Sequence, residues 1–293
     1  MIVDAGLAEL TVAIACVDAG AEVTSHQAHG TLGGGAVRPL GRTSPRMRTS
    51  VLSSIPWPSS STYPSNKGDL SMKLASQNAI TSLDPDFGDM AVKRGRFAWG
   101  LQQLTMREKA FVFIAADLCC HNLQFPLQTH VTMALSNGVA LEDMREAVRH
   151  LAPYVGYPTA AEALMRLVEI EKSIETISPP TGTAVETNVE LPPQVLTEAK
   201  ALDEEFAAFL EEQFGERWGR ANLTVAERAL CTIATDVLNG TLGHSFQMHA
   251  GLALDHGATE DQLRAVLLLI AEFGIARAGR GFEALRDFLA TRH

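Results

Sequence analysis

Two histidines, His130 and His249, stand in stretches of the chain that are otherwise alike. Each follows a glutamine by two residues, Gln128 or Gln247, and precedes an Ala-Leu pair by four residues. An imidazole titrates near neutrality and is the usual side chain for giving or taking a proton in catalysis. A single helical histidine is more often structural, but its presence in both stretches makes proton transfer an equal alternative. We therefore take both histidines as candidate catalytic residues.

An aspartate lies thirteen residues before each histidine, at Asp117 and Asp236. Both are predicted to end an apolar helix, where the helix dipole disfavours a carboxylate by about 0.3–1 kcal/mol. A nearby imidazole would compensate for this cost, and Asp117 would then orient the ring of His130. The alternative is a solvated acid in a loop, with no part in the chemistry.

The spacing typical of a metal site is absent around these residues. His244 and His249 are five residues apart, and Asp117 and His121 are four apart. Neither set has the His-Glu-x-x-His or Cys/His spacing of a zinc site, so we expect no bound metal.

The four cysteines are Cys16, Cys119, Cys120 and Cys231. A disulfide framework needs many more cysteines in a much shorter chain. We therefore predict reduced thiols in a cytoplasmic protein, and leave open a role for the adjacent pair, Cys119 and Cys120.

The candidate residues recur because the chain repeats itself. Residues 83–152 align without a gap with residues 202–271, and 20 of the 70 aligned pairs are identical. Unrelated sequences would match at roughly one position in sixteen, so the repeat indicates two copies of one structural unit. Any residue that is kept in both copies, or lost from one, then becomes informative.

Each copy carries the sequence signals of helices and no credible strand. Thr105 and Thr224 each precede a glutamate by three residues, which is the capping box that opens a helix. Gly138 and Gly257 mark helix ends, since glycine adopts the left-handed conformation that often follows the last turn. We predict an all-α fold with two tandem units of about five helices each.

The leading helix of the second copy has apolar residues at helical spacing. They are Phe206, Phe209, Leu210 and Phe214. This pattern predicts a stripe that faces the core.

The remaining parts of the chain set the predicted boundaries. Residues 1–71 hold a Gly-Gly-Gly run and a Ser/Pro tract without helical or strand periodicity, which predicts a disordered tail. Met72 stands just before the regular pattern begins, so translation that starts there is a hypothesis. The first unit is predicted at 76–174, a Pro/Thr-rich linker at 178–193 and the second unit at 194–293.

The charge of the chain argues against two classes of partner. The net charge is −10, and there is no basic stripe, so nucleic acid and anionic membranes are not expected partners. The longest apolar stretches, Ala110–Ala116 and Ala265–Ala271, are far shorter than the roughly 20 residues of a membrane-spanning helix.

Taken together, these motifs resemble the carboxymuconolactone decarboxylase family, which includes the alkylhydroperoxidase D (AhpD)-like proteins. The matching stretches are Leu104–Ala110, His130–Val139 and Tyr154–Ala161 in the first copy, and Leu223–Arg228 and His249–Gly257 in the second. The resemblance extends over about 210 residues, essentially everything after the tail. It implies an all-α unit that self-associates as trimers or hexamers and acts on a small anionic metabolite.

The peroxidase branch of that family carries Cys-x-x-Cys-x-x-x-His. Relative to His130, the two cysteine positions hold Leu123 and Pro126, and in the second copy they hold Leu242 and Ser245. A thiol peroxidase needs both an attacking thiolate and a resolving thiol. That activity therefore stays only as an alternative, in which Cys119 and Cys120 act in an unfamiliar arrangement.

The decarboxylase branch implies a lyase that needs no cofactor. Loss of CO₂ leaves electrons that a conjugated carbonyl absorbs, and one carbon is then protonated. We assign His130 as the proton donor, Asp117 as the residue that orients an imidazole, and Gln128 or Tyr154 as donors to the enolate oxygen.

The first copy keeps more of the family pattern, because Tyr154 becomes Phe273 in the second. We therefore favour the first unit as the active one, with His249 as the counterpart of His130. A third reading is a non-enzymatic helical oligomer that binds a metabolite or acts as a scaffold.

Overall fold

The computed structural model describes residues 72–173 and 189–292. These residues form twelve α-helices, one 3-10 turn and no strand. In the first unit the helices are α1 (Gln77–Leu83), α2 (Pro85–Trp99), α3 (Met106–Cys119), α4 (Phe125–Ser136), α5 (Leu141–Val155) and α6 (Tyr157–Glu171). In the second unit they are α7 (Pro193–Leu202), α8 (Glu204–Gly215), α9 (Val225–Asn239), α10 (His244–Asp255), α11 (Glu260–Ile270), the 3-10 turn η1 (Ala271–Phe273) and α12 (Ile275–Arg292).

The predicted all-α fold with two tandem units is confirmed, but each unit has six helices rather than five. The extra break falls at Asp84 in the first unit and at Asp203 in the second, where the backbone is extended. Each aspartate caps the following helix by accepting the amide hydrogen of Phe87 or Phe206 at 2.7 Å. An N-cap of this kind separates two helices that the apolar pattern joins into one.

The centre of the molecule is formed by α3 and α9, which pack against each other. Both begin with the predicted capping box, at Thr105 and Thr224. Every residue of α3 from Glu108 to Leu118 is buried, and so is every residue of α9 from Arg228 to Leu238. A helix that is buried on all sides must lie inside a core.

The two units exchange contacts across this centre. Helix α5 of the first unit packs on α9, and the equivalent helix α11 of the second unit packs on α3. The end of α5 and the turn η1 that follows α11 are thereby carried to the other unit. This exchange decides which side chains surround each histidine.

A buried carboxylate, Glu146 on α5, holds the exchange in place. Arg228 lies against it at 3.1 Å and Arg220 at 2.7 Å, and both Glu146 and Arg228 have almost no exposed side-chain surface. Burial alone would raise the pKa of Glu146, but the hydrogen bond from Arg220 and the charge of Arg228 outweigh it, and the pKa is lowered. A charge pair that is buried this completely strongly disfavours the loss of either partner.

The predicted core stripe of α8 is wrong for two of its four residues. Phe214 is buried, but Phe206 and Phe209 are 49% and 53% exposed. The cause is that α8 lies at the edge of the second unit, so its first turns face a cavity that is described below.

Residues 1–71 and residues 174–188 lie outside the described part of the chain, so the predicted tail and most of the predicted linker lie there as well, and a start at Met72 stays a prediction. None of the helices described is both long and apolar enough to span a membrane.

Candidate active site

His130 and Asp117 lie in direct contact. The imidazole Nδ1 is 2.6 Å from Oδ2 of Asp117. Because a carboxylate can only accept, Nδ1 carries the hydrogen and Nε2 is the nitrogen available for chemistry. Asp117 stands in the last turn of α3, and its backbone carbonyl accepts the amide hydrogen of Asn122 at 2.8 Å, which turns the chain into α4. The thirteen residues from Asp117 to His130 thus run from the end of α3, through a short connection, into α4, which packs on α3.

Asp117 is a fully buried acid rather than a solvated one. Its second oxygen, Oδ1, has no hydrogen-bond partner within the described ranges. Burial raises the pKa of Asp117, although the charge and hydrogen bond of His130 act in the opposite direction. The carboxyl is thus held in an apolar environment where His130 is its main support.

Aromatic rings fix the orientation of the His130 imidazole. Phe113 stacks on it with ring centroids 4.4 Å apart and an angle of 17° between the planes. Trp99 and Phe273 approach at 6.5 Å and 6.1 Å. A ring held on several sides keeps one geometry without help from bound ligand.

His130 opens onto a cavity of about 370 Å³, which we name cavity A. Its side chain is 15% exposed. The charged residues that line cavity A are Arg94 on α2 and Glu272 on η1. The remaining wall is mostly apolar: Leu74, Ala75, Ile80, Phe87, Met90, Ala91, Gly95, Trp99 and Met133, with Ser76 and Thr129 as polar members.

Glu272 reaches cavity A from the second unit. Its Oε1 is buried and makes no hydrogen bond in the part of the chain described, and the nearest cationic atom, Nε of Arg94, is 3.9 Å away. Burial raises the pKa of Glu272 by more than the charges of His130 and Arg94 lower it. The carboxyl therefore keeps its proton to a higher pH than a solvated glutamic acid, and in that neutral form it can donate a hydrogen bond.

The second dyad has the same core geometry but different surroundings. Nδ1 of His249 is 2.6 Å from Oδ2 of Asp236. The other oxygen of Asp236 accepts hydrogen bonds from Thr241 at 2.8 Å and from Ser245 at 2.5 Å. Asp236 is thus fully satisfied, whereas Asp117 is not.

His249 is sealed inside the protein. Its side chain is 0% exposed, and its Nε2 is buried with no hydrogen-bond partner among the described residues. Trp218 stacks on the imidazole at 5.6 Å, and Tyr154 meets it edge-on at 5.4 Å. His249 borders a second cavity, described below, but its Nε2 has no solvent-exposed surface.

Tyr154 and Gln128 were predicted to donate to the enolate oxygen beside His130, but neither side chain is positioned to do so. Tyr154 lies against His249, where its hydroxyl accepts a hydrogen bond from the indole of Trp218 at 3.1 Å. Gln128 is exposed and accepts a hydrogen bond from Arg166 at 2.5 Å. The residue that takes the equivalent place beside His130 is Phe273.

The crossed packing of the units explains this arrangement. Tyr154 lies in the last turn of α5, which packs on α9, and Phe273 lies in η1, directly after α11, which packs on α3. Each histidine is therefore completed by the other unit, so the residues that a unit keeps do not tell which unit is active.

The cysteines are poorly placed for thiol chemistry. Cys119 and Cys231 are both buried enough for their thiol pKa to be raised to about 12, mainly by loss of solvent. Cys120 accepts a weak hydrogen bond from Arg277 at 3.7 Å. A reactive thiol needs a lowered pKa, so Cys119 and Cys231 are not suited to be the attacking thiolate of a peroxidase.

The described ranges contain no cluster of three His, Cys, Asp or Glu side chains that could hold a metal ion. The acid–base groups of cavity A are side chains of the protein itself.

Two residues of cavity A, Glu272 and Arg94, were missed by the sequence analysis. Glu272 interrupts the apolar run from Leu267 to Phe273, and a charge within such a run indicates a buried carboxyl. The repeat alignment offers a further indication, since Arg94 and Glu272 correspond to the uncharged residues Gln213 and Pro153. Nothing in the sequence places these two side chains beside His130.

Comparisons with known proteins identify the fold. The Carboxymuconolactone decarboxylase family matches the chain twice, at residues 85–169 and 203–287. Among solved structures, a candidate gamma-carboxymuconolactone decarboxylase subunit from Burkholderia xenovorans LB400 is 21% identical, with a TM-score of 0.44, and the match covers 75% of this chain and 93% of that one. None of the curated proteins compared with the chain matches it. Because the two family matches take up more than half of the 293 residues, the chain belongs to the carboxymuconolactone decarboxylase family.

Proposed function

We propose that the protein is a cofactor-free carboxy-lyase that acts on a small carboxylated lactone or enol in cavity A. One observation carries this proposal: an imidazole held by a buried carboxylate opens onto a cavity that also contains a guanidinium and a buried carboxyl. These groups can supply the proton, the recognition of an anion and the donor to the enolate oxygen that such a decarboxylation uses.

Arg94 supplies the recognition of an anion. Its Nη2 donates to the backbone carbonyl of Leu268 at 3.0 Å, and its Cζ lies over the ring of Phe97, 4.4 Å from the centroid. The guanidinium is thereby held in place and can present its other N–H groups to a carboxylate that the reaction retains. The apolar wall of cavity A surrounds the rest of the substrate.

Glu272 supplies the donor to the enolate oxygen. When the substrate carboxylate leaves as CO₂, its electron pair enters the conjugated carbonyl and negative charge develops on oxygen. A neutral carboxyl at this point donates a hydrogen bond that strengthens as the charge grows, and oriented donors of this kind contribute about 10²–10³ in rate.

His130 supplies the proton. In its protonated form Nε2 delivers hydrogen to the substrate carbon, the enolate returns to a carbonyl, and the neutral imidazole takes a proton from water. Asp117 stabilises the imidazolium through the Nδ1 hydrogen bond. A positioned acid contributes about 10²–10⁴ in rate. The net change is the replacement of a carboxylate by hydrogen, with release of CO₂.

The test is turnover of γ-carboxymuconolactone by the full chain, followed as CO₂ release and lactone absorbance. His130→Ala is compared with His249→Ala, which makes the same change in the sealed dyad. We expect His130→Ala to abolish CO₂ release and His249→Ala to retain most of the rate. Equal losses in the two variants would contradict the assignment of the reaction to cavity A. Substrate that binds to wild type and to His130→Ala with equal affinity but is never turned over would indicate the non-enzymatic alternative.

A further inference from the structure

The repeat places a second cavity of about 360 Å³ beside His249, which we name cavity B. Positions that line cavity A and cavity B correspond through the same repeat offset, yet the residues at them differ in chemistry. Arg94 of cavity A becomes Gln213 in cavity B, and Glu272 becomes Pro153. Both charged residues of cavity A are therefore replaced by uncharged ones.

Smaller and more polar residues of cavity A are replaced by larger apolar ones in cavity B. The replacements are Ser76 by Val195, Ala91 by Leu210, Gly95 by Phe214 and Thr129 by Met248. The two cavities nevertheless have nearly the same volume. Space has thus been kept in cavity B while its lining has become more apolar.

We infer that cavity B is a separate binding site for an uncharged, largely apolar ligand with one hydrogen-bonding group. No Lys, Arg, Asp or Glu lines this cavity within the described ranges. The two histidines of the lining are already held by carboxylates, His244 by Glu198 and His249 by Asp236. A charged ligand would therefore lose its hydration without a compensating partner among the lining residues, which is strongly unfavourable. The volume lies within the range of about 300–1,000 Å³ that is usual for small-molecule sites.

The hydrogen-bonding group of the ligand is met by Tyr154. Its oxygen already accepts the indole hydrogen of Trp218, so its own hydrogen can be donated into the cavity. The amide of Gln213 adds a second polar group: its oxygen accepts a hydrogen bond from the hydroxyl of Tyr157 at 2.7 Å, and its NH₂ has no partner among the described residues. His244 stands at the exposed side of the cavity and is bound to Glu198 at 2.5 Å.

The dyad of His249 explains why cavity B binds rather than reacts. Its Nε2 is enclosed, and Asp236 is locked by Thr241 and Ser245. The His249–Asp236 pair is buried, and its imidazole packs against the rings of Tyr154 and Trp218. Cavity B therefore has the shape of a second active site, but the imidazole of its dyad has no exposed surface.

The test uses two probes of nearly the same shape that differ in charge at pH 7, neutral 2-naphthol and anionic 2-naphthoate. Each is titrated into the full chain by calorimetry, at low and at high salt. We expect 2-naphthol to bind at one saturable site with little dependence on salt. We expect 2-naphthoate to be excluded from cavity B and to bind only at cavity A, with an affinity that falls as salt rises.

Two variants at matched repeat positions locate the sites. Leu210→Trp fills cavity B and is expected to weaken 2-naphthol by about tenfold or more, whereas Ala91→Trp fills cavity A and leaves 2-naphthol unchanged. Gln213→Arg gives cavity B the guanidinium that Arg94 gives cavity A. It should weaken the binding of 2-naphthol as Leu210→Trp does. Circular dichroism and thermal unfolding verify that each variant is folded.

Three results would overturn the inference: no saturable binding of 2-naphthol, loss of its binding in Ala91→Trp but not in folded Leu210→Trp, or 2-naphthoate binding that Leu210→Trp removes. The outcome is independent of the proposed lyase activity, because 2-naphthol binding is measured without turnover. Decarboxylation by Leu210→Trp at the wild-type rate would show that the two cavities act separately.

Discussion

The pairing of His130 with Asp117 can be tested through the charge of the carboxylate alone. Asp117→Asn keeps the size of the side chain and an oxygen that can accept the Nδ1 hydrogen, but it removes the negative charge 2.6 Å from the ring. A hydrogen bond to a charged group contributes about 1.5–3 kcal/mol. If that contribution is made to the imidazolium that delivers the proton, kcat falls by roughly 10- to 150-fold, since about 1.4 kcal/mol corresponds to tenfold.

The matched control is Asp236→Asn in the second dyad. Asp236 supports three hydrogen bonds, from His249, Thr241 and Ser245, so we expect this variant to lose about 2–4 kcal/mol of stability. That loss should lower Tm by about 5–10 °C. Its kcat should stay close to the wild-type value, because the side chain of His249 has no solvent-exposed surface from which to reach a substrate. Asp117→Asn should instead lower kcat with little loss of stability, since one oxygen of the buried carboxylate that it removes has no hydrogen-bond partner among the described residues.

The assay combines steady-state turnover of γ-carboxymuconolactone with thermal unfolding of the same preparations. The reasoning would be refuted if Asp236→Asn lost as much kcat as Asp117→Asn. It would also be refuted if Asp117→Asn kept its full rate, since the carboxylate would then play no part in the proton transfer.

Three further predictions follow from the buried groups. Glu272→Ala should lower kcat by about 10²–10³, and Glu272→Gln, which keeps a donor, should retain more activity. Only the protonated carboxyl of Glu272 can donate, and it loses its proton as pH rises through its raised pKa. Wild-type kcat/KM should therefore fall over that pH range, and the fall should be less steep in Glu272→Gln. Joint replacement of Cys119 and Cys120 by Ser should leave decarboxylation unchanged, and wild type should not reduce hydroperoxides, because burial raises the pKa of the Cys119 thiol to about 12. In urea unfolding, Glu146→Ala should lose about 3–5 kcal/mol by leaving Arg228 buried without its main partner, whereas replacing both by Leu should cost much less.

Local patterns in the sequence were enough for the helices and for the core of each dyad. The capping boxes at Thr105 and Thr224 start the central helices where predicted, because a cap depends on residues within one turn. The contact between Asp117 and His130 is local in the same sense, since it joins the end of one helix to the next helix along the chain. Five helices per unit were predicted instead of six, because the apolar pattern continues across Asp84 and Asp203 although each of these residues starts a new helix.

The sequence by itself therefore determined the all-α fold, the two tandem units and the spacing that joins each histidine to its aspartate. The tertiary structure decided which side chains complete each site. Tyr154 was expected beside His130 and lies against His249, while Glu272 reaches cavity A from the far end of the chain. The physical reason is the crossed packing of α5 on α9 and of α11 on α3. Contacts of this kind join residues that are distant in sequence, and no period, cap or motif encodes them locally.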